Sequence, residues 1–523
     1  MERRNFLLGA AAGTVALGLG ACSSDETNVT EATDSTAAPP TVAPFDRTPF
    51  TLGVASGDPD SGSVVLWTRL ALEPLAGGGM QGDVPVQWEV ATDDSFDDIV
   101  ASGTEPAIPR YGHSVHVIAD GLEPATRYRY RFQAGAQTSA VGMTRTAPAD
   151  DAPPDTWKLG VASCQDYQDG FYNAWRDVAA TDLDLMIFLG DYIYEYGPAP
   201  LGPTVNRQHN SDEITDLVGY RNRYALYKSD PLLQAAHARC PWVVVWDDHE
   251  VENNYADSTP EDPGETAGFE ERRAAAYQAW WEHQPVRFGP PADGELTIYR
   301  ALRWGTLANL VMLDTRQYRT DQACGDQVLQ LTTPACAEVT APGRTLLGTE
   351  QETWLFEQLD GSDTAWNVIG NQVVMTDLRV GPVVLNFDQW DGYPEARQRL
   401  LGHLDSEGIT NCVVLTGDIH LGGVGDLNLE TASGAKTVAT EFVGTSISSG
   451  GLIPESLEDT ARSLLTDVKY FNARQRGWLR CEVTATEWTA EYRVVQDNHI
   501  DGSPLMADGT FTVTPDRPGA VVS

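Results

Sequence analysis

Six short apolar runs in this sequence each end in a side chain that can bind a metal ion or a proton. Runs of this kind are typical of buried strands in parallel or mixed sheets. They lead to Cys164, to Gly190-Asp191, to Asp247-Asp248-His249-Glu250, to Asp314, to Asn371 and to Gly417-Asp418-Ile419-His420. In open α/β sheets the carboxyl ends of the strands form the ligand-binding edge. Any single run could simply lead into a polar turn, but the recurrence predicts strands side by side with one shared site.

Several acids gathered at one sheet edge repel one another unless cations lie among them. Asp191, the first side chain after its strand and glycine, is expected to bridge two cations. Cys164 and Tyr194 supply a thiolate and a phenolate, which suit a transition ion such as iron. The pattern therefore predicts a metal centre with at least one soft or high-valent ion.

Oxygen and nitrogen donors complete the predicted centre. Asp248, Asn371 and Asp418 suit a hard ion such as calcium or magnesium. His420 lies two residues after Asp418 and points to the same side of an extended segment. Two neighbouring cations can clamp a phosphate ester and activate water, while His249, beside Asp248, could bind the phosphate or protonate the leaving oxygen.

The first residues predict an export signal rather than part of the fold. Over residues 1–21, Arg3-Arg4 precedes an apolar segment that is too short for a spanning helix, which resembles a twin-arginine signal. The segment ends in a lipobox-like pattern at Cys22. We expect export by the twin-arginine machinery to the cell surface or periplasm, with a lipid anchor at Cys22; cleavage without acylation is the alternative.

Residues 22–45 are rich in Ser, Thr, Ala and Pro and are predicted to form a disordered tether.

The formal net charge of the chain is −40. The negative electrostatic field of such a chain argues against nucleic acid or anionic lipid as a binding partner. We therefore expect membrane contact through the lipid anchor alone. The charge is compatible with calcium-rich surroundings, although solubility explains most of it. We expect a monomer.

The chain contains seven cysteines. Cys324 and Cys336 bracket a polar loop and are the natural disulfide pair in an oxidising compartment. Cys240, Cys412 and Cys481 lie in or beside apolar runs and are best interpreted as small buried hydrophobes.

Residues 46–150 show short strands of mostly alternating polarity, separated by Gly, Pro and Asp turns. This pattern predicts a small all-β domain like a fibronectin type III sandwich, in which His113 and His116 are structural.

Residues 151–515 alternate strands with helices and predict an α/β domain. Within it we expect an amphipathic helix over Thr266–His283, a helix opened by a capping box at Thr349, and a hairpin over 479–495.

Together, these motifs resemble a known family. The chain contains the motifs Ser163-Cys164-Gln165, Gly190-Asp191-Tyr192-Ile193-Tyr194, Trp246-Asp-Asp-His-Glu250 with Asn253-Asn254, Trp390-Asp391-Gly-Tyr393 and Gly417-Asp-Ile-His420. In these motifs it resembles the PhoD alkaline phosphatases. These are relatives of the purple acid phosphatases within the metallophosphoesterases. Cys164 stands where that superfamily usually has Asp-x-His, and Asn371 stands at the position of a later single histidine.

The resemblance implies a sandwich of two mixed β-sheets flanked by helices. It also implies one Fe³⁺ and two Ca²⁺ ions, with phosphomonoesters and phosphodiesters as substrates. His249 and Asp248 would serve catalysis, and Asn253, Asn254 and Asp391 would support the substrate. The assignment of each ligand to one ion stays open.

Two other functions compete with this interpretation. A phospholipase D-like or nucleotide-cleaving enzyme could use the same scaffold, and a panel of substrates would distinguish it. A calcium-stabilised surface binding protein could use the β domain for adhesion. The full set of predicted ligands argues against the second alternative, because a binding module needs neither Cys164 nor His249.

Overall fold

The structure is a computed structural model that describes residues 45–202, 207–325, 335–451, 458–465 and 467–523. The predicted signal over residues 1–21, the lipidation site Cys22 and all but the last residue of the predicted tether lie outside this part of the chain. No helix within the described ranges combines the length and apolar character needed to cross a membrane.

Three sheets carry the fold. The strands before residue 150 are β1 Val54–Gly57, β2 Val64–Arg69, β3 Val84–Ala91, β4 Ile99–Ala107, β5 Ser114–Ala119, β6 Arg127–Ala134, β7 Gln137–Thr138 and β8 Gly142–Arg145. The following strands are β9 Trp157–Ala162, β10 Leu185–Leu189, β11 Trp242–Val245, β12 Arg300–Trp304, β13 Ala308–Met312, β14 Trp366–Gly370 and β15 Cys412–Thr416. The last strands are β16 Gly422–Thr431, β17 Gly434–Val443, β18 Val468–Asn472, β19 Gly477–Val483, β20 Trp488–Val495, β21 Leu505–Thr514 and β22 Arg517–Val522.

Helices lie between these strands. They are α1 Asn173–Ala180, α2 Leu217–Lys228, α3 Pro231–His237, α4 Phe269–His283, α5 Gly348–Asp360, α6 Pro394–Ser406 and α7 Glu458–Leu464. Within the described ranges, short 3₁₀ turns cover Pro109–Tyr111, Pro263–Glu265, Ala337–Thr340 and Trp390–Gly392.

The six apolar runs form strands, but they divide between two sheets. Strands β9, β10 and β11 are parallel neighbours in a ten-stranded sheet of order β22-β21-β20-β19-β9-β10-β11-β1-β2-β5. Strands β13, β14 and β15 are parallel neighbours in a seven-stranded sheet of order β12-β13-β14-β15-β17-β16-β18. The predicted pair of mixed sheets is therefore present, with three site-bearing strands in each sheet.

The two sheets approach each other closely at the carboxyl ends of these strands. A Cβ atom added at Gly417 would lie 2.7 Å from Cβ of Ser163, which belongs to the other sheet. An isolated parallel bridge between Ser163 and Ser446 also links the sheets there. Small residues at the strand ends thus let both sheets contribute to one site, even though they do not form a single sheet.

The N-terminal strands divide between two sheets. Strands β1, β2 and β5 extend the ten-stranded sheet, because β1 pairs in parallel with β11 through Gly57 and Trp242. The remaining N-terminal strands form a sheet of order β4-β3-β6-β7, with β8 also paired to β6. One core is shared by the two layers and includes Leu66 and Phe132. The predicted fibronectin-like domain is therefore not confirmed, since one of its layers is continuous with the following region.

The other local predictions have mixed outcomes. The hairpin is present as β19 and β20, which pair antiparallel. Helix α4 begins at Phe269, but it is not simply amphipathic, because Arg272, Arg273 and Glu282 are buried together with its aromatic residues. The capping box at Thr349 is wrong: the hydroxyl of Thr345 accepts the N–H of Gly348 instead, and Thr349 lies inside α5.

The cysteines and N-terminal histidines occupy structural positions. Cys324 and Cys336 are joined by a disulfide with a Cα–Cα distance of 5.8 Å. The thiols of Cys240, Cys412 and Cys481 are buried and unlinked. His113 and His116 contact the carbonyl oxygens of Gly82 and Gln284, respectively, through Nε2.

The junction between β1 and β11 depends on the absence of a side chain at Gly57. A Cβ there would lie 2.2 Å from the carbonyl oxygen of Pro285 and 2.6 Å from that of Trp242. We predict that Gly57→Ala lowers the free energy of unfolding by about 1–3 kcal/mol, because backbone atoms must move to admit the methyl group. Gly62→Ala is the matched control, since its nearest neighbours lie 4.0 Å away. Equal urea midpoints for the two variants would contradict the prediction.

Candidate metal centre

Among the described residues, side chains from four strand ends meet in three overlapping groups. Within each group, the ligand atoms lie no more than 4.8 Å from one another. The groups are Cys164 with Asp191 and His420, Asp191 with Asp248 and His249, and Asp247 with Asp248 and Asp418. Because Asp191 and Asp248 each belong to two groups, the three form one continuous cluster of donors.

The backbone is strained at four of these residues. Cys164, Asp191, Asp418 and His420 have positive φ angles of 56°, 58°, 65° and 56°, in the left-handed region that favours glycine. Each such residue costs about 1–3 kcal/mol and persists only where its surroundings fix it. Residues in this state cluster at functional sites, so the strain supports a functional role for these strand ends.

Tyr194 joins the first group through its hydroxyl. The hydroxyl donates to Asp191 Oδ2 at 3.0 Å, lies 3.0 Å from His420 Nε2 and accepts from the Ser449 hydroxyl at 2.8 Å. His420 Nδ1 lies 2.7 Å from the carbonyl oxygen of Gly450 and must carry the proton, because a carbonyl can only accept. The unprotonated Nε2 of His420 therefore faces the group and can ligate a cation.

The charge state of the first group fits a bound cation. Burial, then the nearby carboxylate of Asp191, raises the pKa of the Cys164 thiol well above its usual range. The same two causes raise the pKa of the Tyr194 phenol. Without a cation both groups stay protonated, whereas a metal ion deprotonates a coordinating thiol outright. Oδ1 of Asp191 has no hydrogen-bond partner among the described residues, so a buried donor is free for such an ion.

His249, in the second group, is held by a residue that the sequence analysis did not identify. Its Nδ1 lies 2.8 Å from Glu195 Oε2, and Glu195 Oε1 accepts the N–H of Asn253 at 2.9 Å. Burial would lower the pKa of His249, but Glu195, Asp248 and Asp191 together raise it well above its usual value. Since Glu195 occupies Nδ1, Nε2 is left for a ligand. The one signal for Glu195 in the sequence was its place as an acidic residue directly after Tyr194.

A buried arginine lies against the third group. The guanidinium of Arg316 binds Asp388 through two hydrogen bonds of 2.8 and 2.9 Å and also donates to Asp247. Its Nη2 lies 3.6 Å from Oδ1 of both Asp248 and Asp418. Arg316 was not predicted from the sequence, although it follows the end of β13 by a few residues. It is a fixed positive charge among four acids.

Glu250 fixes the two turns that carry the acids of β10 and β11. Its carboxylate accepts the backbone N–H groups of Asp191 at 3.0 Å, Tyr192 at 2.6 Å and Asp247 at 2.9 Å. This side chain therefore positions donors on neighbouring strands without belonging to any of the three groups.

The remaining predicted residues lie in supporting positions. Asn371 uses both ends of its amide: Oδ1 accepts from Trp390 at 3.1 Å, and Nδ2 donates to Thr416 at 3.1 Å. Asp391 pairs with Arg397 at 2.6 Å and belongs to none of the three groups.

Asn253 and Asn254 contribute mainly through their backbone. Their N–H groups donate to Glu195 at 2.9 Å and to Asp248 at 2.7 Å, while both side-chain amides donate to Glu261. Direct roles for Asn253, Asn254, Asn371 and Asp391 toward a cation or substrate stay predictions.

Comparisons with known proteins place this geometry in context. Residues 159–492 match the family described as PhoD-like phosphatase, and residues 35–148 match the N-terminal domain of the same family. The chain is 47% identical over 485 residues to alkaline phosphatase D of Bacillus subtilis (strain 168), covering 91% of this chain and 82% of that protein. A solved structure described as PhoD superposes with a TM-score of 0.88 at 46% identity, covering 92% of this chain and 93% of that one.

The contacts of Arg316 predict a large effect of removing its charge. Arg316→Met leaves Asp247 without its cationic partner and Asp388 with Arg319 as its remaining one. Breaking one side of a buried ion pair typically costs about 3–5 kcal/mol. We expect a loss of that size in urea denaturation of metal-free protein, and a smaller loss when calcium is present. Arg399→Met is the matched control, because the pair of Arg399 with Glu352 is partly exposed and its loss should cost less than about 1 kcal/mol. Similar losses in both variants would show that Arg316 does not neutralise the cluster.

Proposed function

The chain belongs to the PhoD-like phosphatase family and is a phosphatase, and from this premise we propose that it is an exported, metal-dependent enzyme that hydrolyses phosphomonoesters and phosphodiesters. The single observation that carries metal dependence is the continuous cluster in which Asp191 and Asp248 are each shared between groups. Shared carboxylates are the arrangement expected where neighbouring cations are bridged. Export and the diester activity rest on the signal-like N-terminus and on the family resemblance.

We assign the first group to one Fe³⁺ ion, held by Cys164, Asp191, Tyr194 and His420. Two Ca²⁺ ions are assigned to the oxygen donors, with Asp248, Asp418 and Asn371 as ligands. Oδ1 of Asp248 and Oδ2 of Asp247 lack hydrogen-bond partners among the described residues, which supports the presence of a hard cation here. When bound, such ions polarise the phosphate and lower the pKa of the attacking water.

The protein side chains supply orientation and proton transfer. Glu195 holds the ring of His249 at Nδ1, so that Nε2 can contact a phosphate oxygen or protonate the leaving alcohol. Glu250 fixes the turns that present Asp191 and Asp247. We assign His249 to the substrate, although its ring also lies within reach of Asp191 and Asp248.

The wider organisation is proposed on the same basis. The protein would be anchored by lipid at Cys22, with residues 22–45 as tether, and would act as a monomer at the cell surface or in the periplasm. The limits of the N-terminal region at 46–150 and the catalytic region at 151–515 are retained as proposals. Both regions lie within one compact unit, Val42–Ser523, so we expect them to be produced and studied together.

Hydrolysis of a generic aryl phosphate and its bis-aryl diester at alkaline pH tests the proposed function. We predict that treatment with a chelator, followed by its removal, abolishes phosphate release, because the shared acids then lose their cations. Joint addition of iron and calcium should restore the rate. An unchanged rate in chelated protein, with metal loss verified by elemental analysis, would refute metal dependence.

His249→Ala tests the assignment of this residue to the substrate. We predict that turnover falls roughly a hundredfold or more while bound metal per protein stays nearly constant. His403→Ala is the control, because His403 pairs with the partly exposed Asp360 on α5, outside the cluster. Loss of metal together with an unchanged rate per bound metal would make His249 a ligand instead.

Cys164→Ala tests the iron assignment most directly. A thiolate and a phenolate on Fe³⁺ should give a charge-transfer band in the visible, so the variant should lose or shift this colour, bind less iron and lose activity. A structural cysteine would instead cost about 1 kcal/mol and leave iron unchanged. Cys412→Ala, which removes a buried thiol elsewhere, is the matched control. Equal iron content and equal spectra in all forms would end the hypothesis.

A further inference from the structure

Tyr196 is an exposed aromatic residue beside the candidate centre that the proposed mechanism does not use. Its ring centroid lies 5.2 Å from that of His249 in an edge-on arrangement and 6.5 Å from that of Tyr194. Tyr194 and His249 are buried, whereas Tyr196 is 41% exposed. The three rings therefore lead from the metal ligands to solvent, with Tyr196 outermost.

The position of Tyr196 is fixed by buried groups. Its carbonyl oxygen accepts from Arg223 at 2.8 Å and lies 2.7 Å from His209 Nδ1. Arg223 is fully buried and also donates to the carbonyl oxygen of Tyr194. One arginine thus holds the backbone of both Tyr194 and Tyr196, which defines where the side chain of Tyr196 leaves the chain relative to the site.

The surroundings of Tyr196 are negatively charged. Glu195 directly precedes Tyr196 in the chain, and its Oε2 lies 2.8 Å from Nδ1 of His249, the ring beside which Tyr196 lies. Glu261 accepts from the amide of Asn253 at 2.7 Å and adds charge beside that residue, whose N–H donates to Glu195. Neither Glu195 nor Glu261 belongs to the three groups of metal donors, so their negative charge persists when cations are bound and favours an alcohol with positive electrostatic potential.

We propose that Tyr196 is a specificity-determining residue that contacts the alcohol portion of the substrate and favours phosphate esters of aryl or ammonium-bearing alcohols over esters that carry further negative charge. This inference rests on the proposed function, because it places the phosphorus atom at the metal centre and the ester oxygen beside His249. The face of a tyrosine ring attracts cations and the positive edges of aryl rings, and it does so more strongly beside carboxylates. Such a contact typically changes affinity by a few fold to tenfold.

The experiment compares Tyr196→Ala and Tyr196→Phe on four esters: 4-nitrophenyl phosphate, the phosphate ester of choline, methyl phosphate and 3-phosphoglycerate. We expect Tyr196→Ala to lower kcat/KM for the aryl and choline esters roughly tenfold, mainly through KM. Its kcat/KM for methyl phosphate should stay within about twofold of the unaltered enzyme, because a methyl group cannot reach the ring. Tyr196→Phe keeps the ring face and should retain the preference.

Controls separate this role from packing and from failure of the proposed function. Leu201→Ala removes another exposed apolar side chain, of 65% exposure, and should leave all four values unchanged. Glu261→Gln should reduce the preference for the choline ester over methyl phosphate but spare the aryl ester.

An equal fall of kcat for all four esters in Tyr196→Ala would overturn the proposal, since that pattern means a misplaced His249. If the unaltered enzyme, loaded with metal, hydrolyses none of the esters, the proposed function fails before the role of Tyr196 is tested.

Discussion

Negative charge buried where two sheets converge is the constraint on which the rest of this structure depends. Asp191, Asp247, Asp248 and Asp418 would repel one another in a low dielectric, and burial alone already raises the pKa of most of them. Arg316 neutralises part of this charge from the side of β13, and Glu250 holds the turns through backbone N–H groups. Asp191, Asp247 and Asp248 each keep one oxygen without a hydrogen-bond partner among the described residues. Cations bound there would stabilise the fold as well as serve its chemistry.

The sequence predicted those features that repeat locally. An apolar run followed by a polar side chain can be recognised from the sequence alone. The strands and the candidate donors could therefore be predicted from this pattern, namely Cys164, Asp191, Asp248, Asp418 and His420. Their division between two sheets could not, because it depends on the close approach of Gly417 to Ser163 across many intervening residues. The continuity of β1 with β11 was missed for the same reason, since a parallel pairing of distant strands leaves no local signal.

The supporting residues were harder to predict than the donors themselves. Glu195, Arg316 and Asp388 act through partners that are far away in sequence, and a charged side chain in a loop is ordinarily solvated. Asn371 presents a related difficulty: its position after β14 predicts a ligand, and in the structure its amide also connects Trp390 and Thr416. Tertiary contacts, rather than spacing in the sequence, decide which polar residues face the centre and which ones support it.

The placement of β9 determines when the centre can exist during biosynthesis. This strand, which presents Cys164, lies between β10 and β19, and β19 comes from Gly477–Val483 near the end of the chain. Until that segment has left the ribosome, one edge of β9 lacks its partner and the thiol lacks its finished surroundings. Pairings between such distant segments form slowly and expose unpaired strand edges in the meantime. A chain with this topology therefore completes the surroundings of Cys164 only after Gly477–Val483 has been synthesised, which ties assembly of the candidate centre to the pairing of distant segments.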